Sequence, residues 1–164
     1  MILRTERLTL EPWKAADWVE FQPIATDPEV VRYINGGVPW TEAQIQEFLG
    51  RQIALYETRS MTRWKLKEGG RVIGFCGAGL MNVDGIDELE LGWWLARNRW
   101  GHGLATEAAR AALADLQTRC YIGRVISIIH VENRASQAVA LKLGMRLERE
   151  TLFRGFPVLI YATA

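Results

Sequence analysis

A strand pattern that runs directly into a glycine-containing loop and then a helix constrains the fold of this chain more than any other feature. Leucine or tryptophan occupies every second position from Leu89 to Leu95, which is the period of a half-buried β-strand. The loop Trp-Gly-His-Gly-Leu-Ala follows at 100–105, and helical spacing continues from there through Leu116. This order predicts a chain that mixes strands and helices around one sheet.

The rest of the chain predicts six more strands and three more helices. The predicted helices lie at 14–34, 41–56 and 133–143, and the predicted strands at 3–10, 61–66, 72–81, 125–129, 145–153 and 158–162. The first helix is interrupted by a second start at Asp27, and Thr41 opens the next one with a capping box. The run 125–129 is apolar throughout, which is typical of a central strand covered on both faces. We therefore expect the α/β (α+β) class, with one domain over residues 1–164 and a sheet of about seven strands flanked by helices.

Length and charge exclude several classes of protein. The 164 residues suffice for one domain, and a net charge of +1 offers no electrostatic footprint for nucleic acid or an anionic membrane. No apolar run reaches the roughly 18 residues of a membrane span, and residues 1–10 carry charges in place of a signal peptide's apolar core. Cys76, Cys120, His102 and His130 lack the spacing of a zinc site. We expect a cytoplasmic protein without a bound metal.

The loop at 100–105 is the strongest chemical signal. Glycine lets backbone N–H groups come close to a ligand, and the first turn of a helix has unpaired N–H donors at the positive end of the helix dipole. Together they predict an anion site, most often for phosphate. The alternative is a glycine-rich connection without a ligand. No Gly-Lys-Ser/Thr follows, and the glycine spacing does not fit a dinucleotide fingerprint.

A second group of polar residues surrounds the apolar strand 125–129. Asn133 can cap the helix that follows, and Ser136 lies one turn into it; capping and a solvated helix face are the alternatives to a role in binding. Glu88 and Glu90 share one face of their strand. One of them could act as a general base, or both could be solvated. His130 is the second candidate for the base.

These segments together resemble the GNAT superfamily of N-acetyltransferases. The resemblance rests on ELGWWLA, WGHGLATEA and HVENRASQAVALKLGM, while the opening RTERLTLEPW and the closing VLIYA resemble the branch that contains the ribosomal-protein N-terminal acetyltransferases. It covers nearly the whole chain. It implies a mixed, mostly antiparallel sheet that splays between its fourth and fifth strands, with acetyl-CoA bound where they part. It also implies direct transfer of the acetyl group to an amine, without a covalent enzyme intermediate.

The resemblance also assigns roles to individual residues. The loop from Trp100 to Ala105 would hold the pyrophosphate of acetyl-CoA through the backbone N–H groups of Gly101, His102, Gly103, Leu104 and Ala105 and the hydroxyl of Thr106. The pantetheine arm would contact the backbone of Trp94, Leu95 and Ala96 and the side chain of Asn133. Arg97, Arg99 and Lys142 are further candidates for the nucleotide phosphates. The implied catalytic residues are Ser136, hydrogen-bonded to the leaving sulfur, and Glu90, the general base, directly or through a water.

Two positions depart from the family pattern. Trp100 stands where most members have Gln or Arg, which removes a side-chain contact to phosphate but leaves the backbone intact. Ala140 stands where many members have a tyrosine that protonates the thiolate. In the branch that this chain resembles, a serine three residues after the asparagine takes that role, and Ser136 matches it.

The leading hypothesis is an N-acetyltransferase that moves an acetyl group from acetyl-CoA to a primary amine. The amine is either a protein N-terminal α-amine or that of a small molecule, and Glu88 and Glu90 would favour a cationic one. A non-catalytic acyl-CoA-binding module is the alternative, and a nucleotide-binding domain is a third hypothesis. The sequence identifies neither the acceptor nor the oligomeric state, and a homodimer is left open.

Overall fold

All strands of the chain belong to one sheet in the computed structural model, which describes residues 1–164. The strands are β1 Leu3–Arg4, β2 Thr9–Glu11, β3 Arg63–Glu68, β4 Arg71–Val83, β5 Ile86–Leu95, β6 Ile126–His130, β7 Arg146–Phe153 and β8 Phe156–Ala162. The helices are α1 Trp18–Ala25, α2 Glu42–Arg59, α3 Leu104–Thr118 and α4 Arg134–Lys142. The predicted order of elements is confirmed, with eight strands in place of about seven.

The strand order explains where the sheet opens. It runs β1-β2-β3-β4-β5-β6-β8-β7, and every neighbouring pair is antiparallel except β5 and β6. Those two parallel strands are joined at a single register pair, Glu90 with Ile126. Beyond that pair they separate, and the predicted mixed, mostly antiparallel, splayed sheet is confirmed.

The helices cover both faces of the sheet. On one face, α3 buries Leu104 and Leu113 against Leu91 of β5. On the other, α1 and α2 bury an aromatic cluster in which Phe21 and Phe48 lie with ring centroids 5.8 Å apart. Because successive strand residues point to opposite faces, the alternating series that starts at Leu89 packs on the α3 side, while Trp94 packs in the aromatic cluster on the other side.

The predicted strand at 3–10 is divided in two. The Thr5 N–H bonds to the Leu8 carbonyl, and the Leu8 N–H bonds to Thr5 Oγ1, each at 3.0 Å. This turn reverses the chain, so β1 pairs with β2 antiparallel. The division accounts for the eighth strand.

The predicted second helix start at Asp27 is wrong. Asp27 Oδ1 accepts the N–H of Glu29 at 3.0 Å, and the Val30 N–H returns to the Asp27 carbonyl at the same distance. A side chain that bonds its own downstream N–H competes with helix propagation. Residues 26–34 therefore form a series of turns that ends in a short 3-10 turn at Asn35–Gly37.

The last hairpin turns earlier than expected. The sequence favours a turn at 155–157, but Arg154 and Gly155, with φ of 52° and 83°, form a two-residue turn. Two successive positive φ angles match the twist of paired strands. Pro157 consequently lies in β8, opposite Leu152.

Glycines in β4 allow its neighbours to come unusually close. A Cβ at Gly74 would overlap the Trp94 carbonyl oxygen of β5, and one at Gly77 would overlap the Thr62 carbonyl oxygen beside β3. The register between β3 and β4 also shifts between Leu66 and Lys67, opposite Gly74. The glycines of this strand therefore coincide with an irregularity in its pairing.

Candidate active site

A cavity of about 970 Å³ fills the gap where β5 and β6 separate. The loop between β5 and α3 lines one end, and the 26–40 segment and the β7–β8 hairpin line the other. Four of the candidate residues, Glu88, Ala96, Arg97 and His102, lie outside the cavity lining. The residues assigned to catalysis or to the loop, strand and arm contacts that do line it are Glu90, Trp94, Leu95, Trp100, Gly101, Gly103, Leu104, Ala105, Thr106, Asn133 and Ser136. Most of the predicted site residues thus surround one space.

The loop before α3 presents a row of free donors. The backbone N–H groups of residues 101–106 donate no hydrogen bond within the chain, and the first helical bond comes from the Glu107 N–H to the Gly103 carbonyl. Gly103 has a φ of 74° and stands at the N-cap. This left-handed conformation, which glycine adopts without strain, lets consecutive N–H groups converge. The arrangement can bind an anion such as a pyrophosphate.

Arg7 holds this loop from the turn between β1 and β2. Its Nη1 donates to the His102 carbonyl at 2.9 Å, and its Nε and backbone N–H donate to the Glu107 carboxylate at 2.9 and 3.1 Å. These contacts tie the loop and the first turn of α3 to the turn between β1 and β2. The role of Arg7 could not be predicted from the sequence, because nothing local connects it with a loop about a hundred residues away.

The end of β5 offers one free edge to the cavity. The Ala96 N–H bonds to the Ile73 carbonyl of β4 at 2.7 Å, and the Ala96 carbonyl accepts the Arg99 N–H at 2.9 Å. Since ladder bonds alternate along an antiparallel pair, Leu95 turns its N–H towards the gap, while Trp94 faces β4. Of the three predicted strand residues, Leu95 alone presents a free backbone donor there.

The cationic candidates differ in their availability. Arg97 pairs with Asp27 at 3.2 Å, and Arg99 pairs with Glu68 at 2.7 Å. Lys142 lines the cavity without an ion pair. Trp100 is fixed by the bond from its Nε1 to the Leu95 carbonyl at 3.0 Å. Its indole N–H is therefore engaged by the end of β5.

The start of α4 brings the two other predicted residues to the gap. Asn133 caps the helix, since its Oδ1 accepts the Ser136 N–H at 3.2 Å, and its Nδ2 has no partner. The Ser136 hydroxyl accepts the indole N–H of Trp93 at 3.2 Å and is free to donate its proton. Ala140, one turn further, is fully buried.

Glu90 lies at the point where β5 and β6 part. Its Oε1 accepts Arg63 Nη2 of β3 at 2.7 Å, and its Oε2 accepts the Ile128 N–H at 3.2 Å. The side chains of Arg63 and Glu90 are only 9% and 8% exposed. The carboxylate thus accepts a backbone N–H of β6 that has no strand partner where the sheet splays. Glu90 therefore has a structural role in addition to its proposed role as the general base.

The other two candidates for the base are also engaged. Glu88 pairs with Arg124 at 3.0 Å, and this arginine pairs with Glu148 as well. His130 Nδ1 accepts the Glu132 N–H at 3.1 Å, so a neutral ring carries its proton on Nε2. The ring packs against Tyr33 with centroids 5.2 Å apart.

Cys76, near this region, is buried in the core, where burial raises the pKa of its thiol. A thiol held neutral in this way is a poor nucleophile. The structure contains no group of three or more His, Cys, Asp or Glu side chains that could hold a metal ion. None of its helices combines the length and the apolar character that crossing a membrane requires.

Comparison with known proteins agrees with this geometry. A family model described as an acetyltransferase (GNAT) domain matches residues 7–146. The chain is 28% identical over 162 residues to the uncharacterized protein YkkB of Bacillus subtilis, covering 97% of this chain and 93% of YkkB. It is 29% identical over 157 residues to p20, an uncharacterized N-acetyltransferase of Bacillus licheniformis, covering 94% and 86%.

Solved structures share the whole fold. A GNAT-family acetyltransferase from Bordetella pertussis superposes with a TM-score of 0.87 at 26% identity, covering 100% of this chain and 99% of its own. RimL, a ribosomal L7/L12 alpha-N-protein acetyltransferase solved with coenzyme A, superposes with a TM-score of 0.81 at 17% identity, covering 99% and 97%, which shows likeness of fold. With a family match over most of its length, this chain belongs to the GNAT family of acetyltransferases.

Proposed function

We propose that this protein is an N-acetyltransferase that moves an acetyl group from acetyl-CoA to a primary amine by direct attack. The observation that carries the proposal is the row of free N–H groups at 101–106, placed at one end of the gap between β5 and β6. A pyrophosphate matches that row in charge and geometry. RimL, which has the same fold, was solved with coenzyme A.

The gap offers hydrogen-bond donors for the phosphates and the pantetheine arm of acetyl-CoA. The N–H groups of 101–106 and the Thr106 hydroxyl would hold the pyrophosphate, and Lys142 is the cation free to approach the nucleotide phosphates. The Leu95 N–H and Asn133 Nδ2 are the free donors along the path of the pantetheine arm. When bound, acetyl-CoA supplies an activated acyl group, and the protein positions it beside the acceptor.

Ser136 is our candidate for stabilising the leaving sulfur. As the amine nitrogen bonds to the acetyl carbon, the carbon–sulfur bond breaks and negative charge develops on sulfur. The Ser136 hydroxyl, oriented by the Trp93 indole N–H, has its own proton free to donate there. A hydroxyl is a weak acid, so its contribution is a hydrogen bond to the developing thiolate.

The amine must lose a proton during the reaction. We retain Glu90 as the candidate acceptor of that proton, acting through a water, because its carboxylate lines the cavity. The carboxylate already accepts hydrogen bonds from Arg63 and from the Ile128 N–H, so fewer of its lone pairs are free to accept the proton than those of a solvated carboxylate. The cytoplasmic location and the homodimer remain predictions.

The test of the proposed function combines binding and turnover. Acetyl-CoA at about 100 times its Kd should stabilise the protein by roughly 2.7 kcal/mol, which for a chain of this size raises Tm by roughly 5–10 °C. ATP at the same concentration should give no shift. Acetylated product should form from at least one amine in a panel of peptides and small amines. Binding without product would support the non-catalytic module, and a larger shift with ATP would support a nucleotide-binding domain.

Ser136→Ala should lower kcat roughly tenfold to a hundredfold, the scale for loss of one hydrogen bond to a developing charge. The acetyl-CoA-induced shift in Tm should stay unchanged, because Ser136 lies away from the phosphate loop. Ser136→Thr keeps a hydroxyl at the same position and should retain most of the activity. Equal turnover by the wild type and the alanine variant would remove Ser136 from the mechanism.

A further inference from the structure

A carboxylate follows directly after the loop at 101–106. Glu107 lies in the first turn of α3, and it is the only acidic residue between Arg97 and Arg110. A negative side chain at this end of a helix interacts favourably with the helix dipole, but it repels an anion that approaches the same N–H groups. The loop therefore binds a pyrophosphate more tightly when the charge of Glu107 is balanced.

Arg7 balances this charge from the turn between β1 and β2. Its Nε donates to Glu107 Oε2 at 2.9 Å, and its backbone N–H donates to Glu107 Oε1 at 3.1 Å. Both carboxylate oxygens thus accept a hydrogen bond from the same residue. The Glu107 side chain is only 16% exposed, so solvent screens its charge less than it would screen that of a fully exposed carboxylate.

The same guanidinium reaches the loop. Arg7 Nη1 donates to the His102 carbonyl at 2.9 Å, and Arg7 Nη2 would lie 3.7 Å from a Cβ on Gly103, the N-cap of α3. One guanidinium therefore contacts the carboxylate, the loop carbonyl and the N-cap residue. The carboxylate and the loop are separated by no more than the width of this group and its hydrogen bonds.

The other cations near the loop have different partners. Arg97 and Arg99 form ion pairs with residues outside α3, and Arg110 donates to the carbonyl of Lys142 at 3.3 Å. Glu107 takes part in one ion pair only, that with Arg7. The neutralisation of Glu107 thus depends on a single side chain.

We propose that Arg7 sets the affinity of this protein for acetyl-CoA by neutralising Glu107 beside the loop that holds the pyrophosphate. The proposal rests on the proposed function, since it concerns the co-substrate of that reaction. Arg7 acts through Glu107 and is a positioning residue, not a catalytic one. Without Arg7, an uncompensated carboxylate would stand beside the phosphates and weaken their binding.

The experiment measures the Kd for acetyl-CoA by titration calorimetry, with no acceptor present. Arg7→Ala should weaken binding by about tenfold or more at low salt, because it leaves Glu107 uncompensated. Adding Glu107→Gln to this variant removes the uncompensated charge and should recover most of the loss. Glu107→Gln alone should bind at least as tightly as the wild type. Arg7→Lys keeps a cation for Glu107 and should stay within about threefold of the wild type.

Salt and a matched variant distinguish this charge effect from a structural one. Salt screens repulsion between charges, so the deficit of Arg7→Ala relative to the wild type should shrink to about threefold when salt is raised from about 0.05 M to about 0.5 M. Arg149→Ala removes the same charge from an ion pair with Asp84 outside the cavity, and the Arg149 side chain is 35% exposed against 44% for Arg7. It should bind acetyl-CoA as the wild type does. Melting curves would show that each variant is folded.

The outcomes separate this proposal from the proposed function. Equal affinity of the wild type and Arg7→Ala would show that Arg7 has no such role, while N-acetyl transfer stands. A double variant that stays as weak as Arg7→Ala at both salt concentrations would likewise overturn the proposal, since the loss would then not come from the charge of Glu107. If the wild type itself does not bind acetyl-CoA, the proposed function fails and this inference fails with it.

Discussion

Gly74→Ala should destabilise the protein more than any other single-methyl addition that we consider. The new Cβ would overlap the Trp94 carbonyl oxygen, which belongs to the backbone of the adjacent strand and cannot move without breaking the ladder. Gly74 also has a φ of 153°, which L side chains rarely adopt. Overpacking and backbone strain each cost about 1–3 kcal/mol, so together about 4 kcal/mol is expected, or roughly a 10 °C fall in Tm.

Gly69→Ala is the control for this experiment. Gly69, in the turn that precedes β4, has a φ of 56° with nothing within 4 Å of an added Cβ. It therefore tests a positive φ without a collision, and its cost should be about 1–2 kcal/mol. Thermal unfolding of both variants measures the difference. Equal losses of stability in the two variants would show that β4 and β5 move apart easily enough to accommodate the new methyl group.

Gly103→Val should remove most of the Tm shift that acetyl-CoA produces. Valine is poorly tolerated at the φ of 74° that Gly103 adopts, so the loop should relax and its N–H groups should no longer converge. The nearest atom to an added Cβ is Arg7 Nη2 at 3.7 Å, an ordinary contact, so the effect comes from the backbone and not from crowding. We expect affinity to fall at least a hundredfold, which reduces the Tm shift to about 1 °C at the concentration that gives the full shift in the wild type.

Gly85→Val separates lost affinity from lost stability. Gly85, in the turn between β4 and β5, has a φ of 79° and open space around it, but it lies outside the cavity. Its unliganded Tm should fall about as much as that of Gly103→Val, while its acetyl-CoA shift should stay complete. A full shift in Gly103→Val would refute the assignment of the loop to the pyrophosphate.

Much of the fold could be predicted because its signals are local. The Thr41 capping box is present, with Gln44 N–H to Thr41 Oγ1 at 3.2 Å and the reciprocal bond at 2.9 Å. Asn133 caps α4 as its position suggested. The segment after Asp27 was mistaken for a helix because its apolar spacing is helical, while the competing side-chain bond to Glu29 has no periodic signature.

The residues of the candidate site also differ in whether local sequence signals could identify them. The loop at 101–106 follows from the sequence, because glycines and a helix start leave N–H groups unpaired whatever packs around them. The resemblance to a family placed Ser136 and Asn133 beside it, and the structure brings them to the same cavity. Arg7 and Arg63 were not identified, since each acts on a partner that is distant in sequence.

The order of strands and helices, the glycine loop and its free donors follow from short stretches of sequence, since hydrophobic period and backbone geometry are properties of neighbouring residues. The charge around Glu90, in contrast, depends on how the strands pack together. Glu90 looked like a free carboxylate on a strand face until the register of β3, β4 and β5 placed Arg63, 27 residues away, against it at 2.7 Å. An ion pair depends on which strands become neighbours, and that is settled by packing of the whole sheet.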